Sequence, residues 1–179
     1  MDLAPPDLDS WLSDPSVCVA HRRDSSVSPE RLWQAAHEVR LRDTSVLGRL
    51  IRWRIPGVPA DDLFYDLFRR PPFMGLCEAD GVLVSGLVGR IWTLRRDYPK
   101  LETPEQYLEW STSGTAKVLF GNWVESDGAR SVLCSQVRVQ AFGTQGRVGL
   151  TSVRPMIRAF QGLVGSDAIT AAVRRAERD

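Results

Sequence analysis

The sequence predicts an α+β domain: a curved antiparallel β-sheet wrapped around a long C-terminal α-helix, with short helices after the first strand. Three features carry that expectation. The stretch GVLVSGLVGRIW, residues 81–92, has the composition of a strand but is apolar at both alternating positions and is interrupted by Gly86 and Gly89, so something covers each face and the strand bends. Two pairs of strand-like runs are joined by Asp-Gly, at Asp80-Gly81 and Asp127-Gly128, a dipeptide that supplies the positive φ of a tight hairpin turn. Residues 144–178 then place Val153, Met156, Ile157, Phe160, Leu163 and Val164 on one helical stripe that Ile169, Ala172 and Val173 continue. Such a helix buries its stripe across the sheet's core face, and the sheet must curve to enclose it. On this reading Gly86 and Gly89 let the strand bend without a side chain striking the helix.

Composition narrows the rest. At 179 residues the chain suits one domain, residues 16–179, preceded by an arm over residues 1–15. Pro5, Pro6 and Pro15 and four aspartates allow that arm at most one helical turn around Trp11. Hydrophobic residues at 43% and charged residues at 25% exclude disorder of the whole chain. A net charge of +1 argues against nucleic acid as a partner, because that function calls for a clear basic excess. Cys18, Cys77 and Cys134 are odd in number, far apart and outside any CxxC pair, so they predict reduced, buried, apolar side chains, no zinc and a cytoplasmic location. No segment approaches the roughly 20 apolar residues of a membrane span, and the first residues lack the basic start and apolar run of an export signal. No cofactor is expected.

The remaining elements follow in order. Residues 17–22 predict the first strand. Ser28 reads as an N-cap with Pro29 at the first helical position, and Leu32, Trp33, Ala36 and Val39 form the buried face of that helix. A second helix over residues 44–53 places Leu47, Leu50 and Ile51 inward and Arg42, Arg49 and Arg52 outward; the basic face reads as a solvated one, or as a contact for an anionic membrane or phosphate-rich partner. Leu63, Phe64, Leu67 and Phe68 then recur at helical spacing in a segment that must end before Pro71. Thr103, Pro104 and Gln106 form a capping-box pattern for a short helix between the hairpins. In the last strand Leu133, Ser135, Val137 and Val139 alternate with Cys134, Gln136, Arg138 and Gln140, which predicts core on one face only. Pro155 marks a kink or restart in the C-terminal helix, and Gly162 and Gly165 a close approach of the sheet or a bend.

This order of elements resembles the helix-grip fold of the START-like (SRPBCC) superfamily, which includes the birch pollen allergen, polyketide cyclases and uncharacterised bacterial proteins. Within it SPERLWQAAHEVRLRD, GLVGRIW, GTAKVLFGNWVE and VRPMIRAFQGL look like segments of an uncharacterised bacterial branch. The resemblance implies a cavity between sheet and long helix that takes an apolar small molecule. It implies no particular reaction.

No catalytic motif stands out. His21 and His37 are the only histidines and have no partnered cluster at metal or triad spacing, so each reads as a structural or surface residue. The glycines of GLVGRIW lie inside a strand and make no phosphate loop. Candidates for the cavity wall are Trp33, Phe64, Tyr65, Leu87, Trp92, Phe120, Trp123 and Phe160, with Asn122 and Ser135 as polar anchors. Arg90 joins them if it points inward, where it would need a carboxylate partner. The leading functional expectation is a carrier or sensor for a hydrophobic small molecule such as a lipid, isoprenoid or polyketide-like compound. The rivals are a cyclase or dehydratase using Arg90, Tyr65 or Asn122 to polarise a carbonyl, and a ligand-free interaction module.

Overall fold

A computed structural model of the chain describes residues 5–54, 57–93, 98–127 and 130–178. Five antiparallel strands, β1 (Val17–Ser25), β2 (Met74–Ala79), β3 (Val82–Gly89), β4 (Ala116–Asp127) and β5 (Arg130–Ala141), form one sheet in the order β1-β5-β4-β3-β2. Between β1 and β2 lie α1 (Pro29–His37), a 3-10 turn (Leu41–Asp43), α2 (Leu47–Arg54) and a second 3-10 turn (Tyr65–Arg69), while α3 (Pro104–Glu109) falls between β3 and β4. The described chain closes with α4 (Gly143–Leu163), a π-helical turn (Val164–Ile169) and α5 (Thr170–Ala176) as one helical run. The fold is therefore α+β, an antiparallel sheet with a long C-terminal helix, consistent with a helix-grip arrangement.

Local chemistry explains most boundaries. Ser28 Oγ accepts the Arg31 N–H at 3.3 Å and caps α1. Thr103 Oγ does the same for Gln106 at 3.4 Å, but Gln106 Oε1 reaches back to the Glu102 N–H, one residue before the cap. Gly81 turns the first hairpin at φ 78°. In the second hairpin Asp127 pairs with Arg130, and Gly128 lies outside the described residues.

The two faces of the sheet differ in what covers them. Leu83, Ser85 and Leu87 of β3, with Val118, Phe120, Asn122 and Val124 of β4 and Leu133, Ser135, Val137 and Val139 of β5, share the inner face in cross-strand register. Over it pack α1, α5 and the C-terminal run, through Leu32, Ala36, Leu150, Val164, Ile169 and Val173. The outer face carries Val84, Gly86 and Val88 of β3, Leu119 and Trp123 of β4, and Val132 and Cys134 of β5. It is roofed by Leu8 and Leu12 of the N-terminal arm and by Tyr107 of α3.

That second roof corrects several expectations. Gly86 faces α3, not the C-terminal helix: a Cβ there would lie 2.4 Å from the Tyr107 ring. The outer face of β5 is not simply solvated, because the arm seals Cys134 and pins Arg138, which bonds to Asp9 and to the Leu12 carbonyl. Burial, with Glu125 nearby, pushes the Cys134 thiol up to about 12. Cys18 and Cys77, expected to be buried, are exposed, since both lie on edge strands beyond that roof. Leu50 is exposed as well. Leu47 and Ile51 take the inward side of α2, and Gly48 presses so closely on Leu41 that a Cβ would lie 2.1 Å from its carbonyl oxygen, which turns Leu50 to the opposite side.

Glycine packing supplies a test. Gly86→Ala must displace the fully buried Tyr107 ring and is expected to destabilise the fold by about 1–3 kcal/mol. Gly162→Ala meets open space inside a helix and is expected to stabilise by up to about 1 kcal/mol. Urea midpoints check both; an unchanged midpoint for Gly86→Ala would contradict the placement of α3 on the outer face.

Candidate ligand site

Cross-strand register builds a transverse row on the inner face. His21, Ser135, Asn122, Leu83 and Glu78 stand opposite one another from β1 to β2. Two of these, Ser135 and Asn122, are polar and lie on central strands, in a layer made mainly of Leu, Val and Phe. Asn122 is 2% exposed and Ser135 5%. From α4, the equally buried Gln161 donates from Nε2 to Ser135 Oγ at 3.2 Å.

Hydrogen bonding within this group is incomplete. Ser85, on the same face, is fully buried and its hydroxyl has no partner among the described residues; the same holds for the buried His21 Nε2. The Asn122 side chain makes no hydrogen bond among the described residues. The backbone approaches closely here, since a Cβ on Gly165 of the π-helical turn would lie 2.6 Å from the His21 ring.

A chain of aromatic rings borders these polar groups. Phe120 packs on Phe73 and Phe68 at centroid distances of 5.4 and 5.3 Å, Phe68 on Phe64 at 5.3 Å, and Phe64 on Tyr65 at 5.5 Å. Burial raises the Tyr65 phenol's pKa, so the hydroxyl stays neutral. His37 stands edge-on to Tyr65 at 5.1 Å and to Trp33 at 4.6 Å.

Beyond Tyr65 the chain ends in an ion-pair clasp that the sequence did not disclose. Arg69 binds both oxygens of Glu78, pairs with Asp66 at 2.7 Å, and donates to His37 Nε2 at 2.9 Å. Arginine has no acceptor, so His37 Nε2 must be the unprotonated nitrogen, and Nδ1–H donates to the Trp33 carbonyl at 3.0 Å. The clasp thus requires neutral His37 while tying α1 to β2.

The candidate residues fall into separate groups. Trp33, Phe64, Tyr65, Phe120 and Phe160 belong to one apolar cluster, with Asn122 and Ser135 adjacent in register. Leu87 and Trp92 lie in another, where the Trp92 ring fills the space beside Gly149 of α4. Arg90 is exposed: β3 ends at Gly89, whose φ of 135° leads the chain away from the inner face into a turn closed by Thr93. Trp123, another aromatic considered for a pocket, points to the outer face and bonds Glu125. Ser85 and Gln161 are not among the sequence candidates, and His21 reads there only as a structural or surface residue. The first two had a readable signal, each being a polar residue within an apolar run.

Two concavities among the described residues are open surface grooves. One of about 190 Å³ lies beside Ser16, Leu150 and Arg154, and one of about 250 Å³ beside Val39, Ala171 and Arg174. The expected pocket between sheet and helix is not one of them; Phe73, Phe120, Val153, Ile157 and Phe160 pack into that layer. In the middle of α4, Val153, Ile157 and Phe160 are only half-buried. No group of three His, Cys, Asp or Glu side chains suited to a metal occurs among the described residues, and none of their helices is long and apolar enough to cross a membrane.

No protein-family model and no curated protein matches the chain. Solved structures show distant likeness. A hypothetical protein, jhp0584, from Helicobacter pylori is 10% identical over 98% of each chain, with a TM-score of 0.42. The di-domain aromatase/cyclase BexL from the BE-7585A biosynthetic pathway is 11% identical over 95% of this chain and 53% of its own, with a TM-score of 0.41. The Zhui aromatase/cyclase from Streptomyces sp. R1128 is 16% identical over 90% of this chain and 94% of its own, with a TM-score of 0.35. At such scores the likeness carries no argument about what this chain binds.

The clasp predicts a pH response. Burial, reinforced by the Arg69 charge and opposed by the bond to Trp33, lowers the His37 pKa from its ordinary 6.5. Between that lowered value and 6.5 the unfolded chain binds a proton that the fold refuses, so stability falls as pH drops through this window. Glu78, held below 4.5 chiefly by its hydrogen bonds from Arg69, is lost only at more acid pH. Urea midpoints compared at about pH 7.5 and about pH 5.5 should fall less in His37→Gln than in the parent. An equal fall would show that His37 is not the responsible group.

Proposed function

We propose that the protein is a carrier or sensor for an apolar small molecule bearing a carbonyl or hydroxyl group, held between the inner face of the sheet and α4. The observation that carries this reading is the Ser85 hydroxyl, fully buried on the inner face with no partner among the described residues, with the buried Asn122 on the same face. An unmade hydrogen bond at a buried polar group costs about 1–3 kcal/mol, and an apolar residue of the same shape would avoid it. A ligand carbonyl facing the Asn122 amide, or a hydroxyl facing Ser85, would supply the missing partner. Its apolar body would lie against Phe120 and displace the half-buried Val153, Ile157 and Phe160. Lipids, isoprenoids and polyketide-like compounds meet this description.

The enzymatic alternative has less to draw on. With Arg90 exposed, Tyr65 and Asn122 remain to polarise a carbonyl, and Ser135 Oγ is engaged by Gln161. Neither Tyr65, a neutral phenol, nor Asn122, an amide, is a strong base.

Native mass spectrometry of freshly purified protein, followed by solvent extraction, is expected to show one bound small molecule, lost in Asn122→Leu. Ser85→Ala removes the unpartnered hydroxyl, so this ligand-free variant should melt about 2–6 °C higher than the ligand-free parent. Parent protein free of ligand, together with a Ser85→Ala variant that melts lower, would contradict the reading.

A further inference from the structure

We propose that α2 is a peripheral docking element for an anionic lipid surface. Val46, the residue before α2, and Leu50 and Trp53 within it are 48%, 40% and 70% exposed and recur at a spacing of four and three, so they form one ridge on the solvent side. Arg49 flanks this ridge and Arg52 lies beyond it; both are exposed, and neither has a carboxylate partner among the described residues. The contrast with their neighbours is informative, because Arg42, Arg69 and Arg70 are all paired, with Asp61, Glu78 and Asp62 respectively. An apolar ridge bearing a tryptophan beside uncompensated arginines is the chemistry of a helix lying in a headgroup layer.

Size and rigidity favour this occupant over a protein. Three partly exposed side chains offer on the order of 300 Å² of apolar surface, well short of the roughly 800 Å² per partner of a stable protein interface. Shallow insertion of one tryptophan and two aliphatic groups requires no such area. The helix is also fixed before contact: the Asp167 carboxylate, from the π-helical turn, accepts the Val46 and Leu47 N–H groups at 2.9 and 3.1 Å and the Ser45 hydroxyl at 3.1 Å. Asp167 therefore anchors the N-terminus of α2 to the C-terminal helix with the ridge outward. The inference uses the surface alone and is independent of the ligand reading.

The test is co-sedimentation of the whole chain with phosphatidylcholine vesicles containing or lacking phosphatidylserine, at low and high salt. Binding is expected to the serine-containing vesicles, to weaken with salt, to fall about fivefold in each of Arg49→Gln and Arg52→Gln, and to vanish in Leu50→Ser/Trp53→Ser. All positions are solvent-exposed, and circular dichroism confirms that the variants fold. Protein left in the supernatant with both vesicles overturns the proposal, as does a double variant that sediments like the parent. Concentration-dependent dimerisation lost in the double variant, without vesicle binding, assigns the ridge to a second copy and also overturns it.

Discussion

β3 and β4 occupy the interior of the sheet with apolar side chains on both faces, and a sheet so composed holds together in water only if a layer covers each side. On the inner side the helices do this. On the outer side the burden falls on the arm, through Leu8 and Leu12, and on Tyr107 of α3. Gly86 and Gly121 belong to this second contact, because a Cβ on either would meet Tyr107 or Leu8 at under 3 Å. The absent side chains let the outer layer lie directly on the strands.

Both layers leave buried polar atoms without partners among the described residues, including Tyr107 Oη and Arg138 Nε on the outer side. On the inner face Ser85 Oγ and His21 Nε2 are buried with no partner among the described residues, while Gln161 bonds Ser135. A few steps away the π-helical turn places Gly165 against the His21 ring and sends Asp167 to cap α2. The turn that accommodates the sheet thus also holds the surface ridge. Any displacement of α4 needed to admit a molecule beside Asn122 is felt first at this turn, since α4 and the turn form one helical run.

The elements were largely legible because their signals are local. Ser28 and Thr103 cap the helices they were expected to cap, Gly81 turns the first hairpin, and the apolar stripe over residues 153–173 lies on the C-terminal run except at Met156, which is exposed. What was not legible depends on register and on distant partners. Arg90 was ambiguous because one residue of slippage reverses the face of every side chain in a strand; the positive φ at Gly89 settles it, and nothing in the local sequence states that angle. Leu50 fits an inward stripe by spacing alone, and only the packing of Gly48 on Leu41 shows which side of α2 is crowded. The pairing of Asn122 with Ser135 required the β4–β5 register, and the bond from Gln161 required the placement of α4.

The most direct measurement is the side-chain amide NMR signal of Asn122, recorded on protein as purified and again after denaturation, solvent extraction and refolding. If a bound molecule supplies the partner that the fold withholds, the Asn122 amide resonances shift on extraction, while those of Gln161, already bonded to Ser135, shift less. Superimposable Asn122 signals in the two samples, with the refolded protein otherwise native, would contradict the claim that the inner-face polar groups serve a ligand.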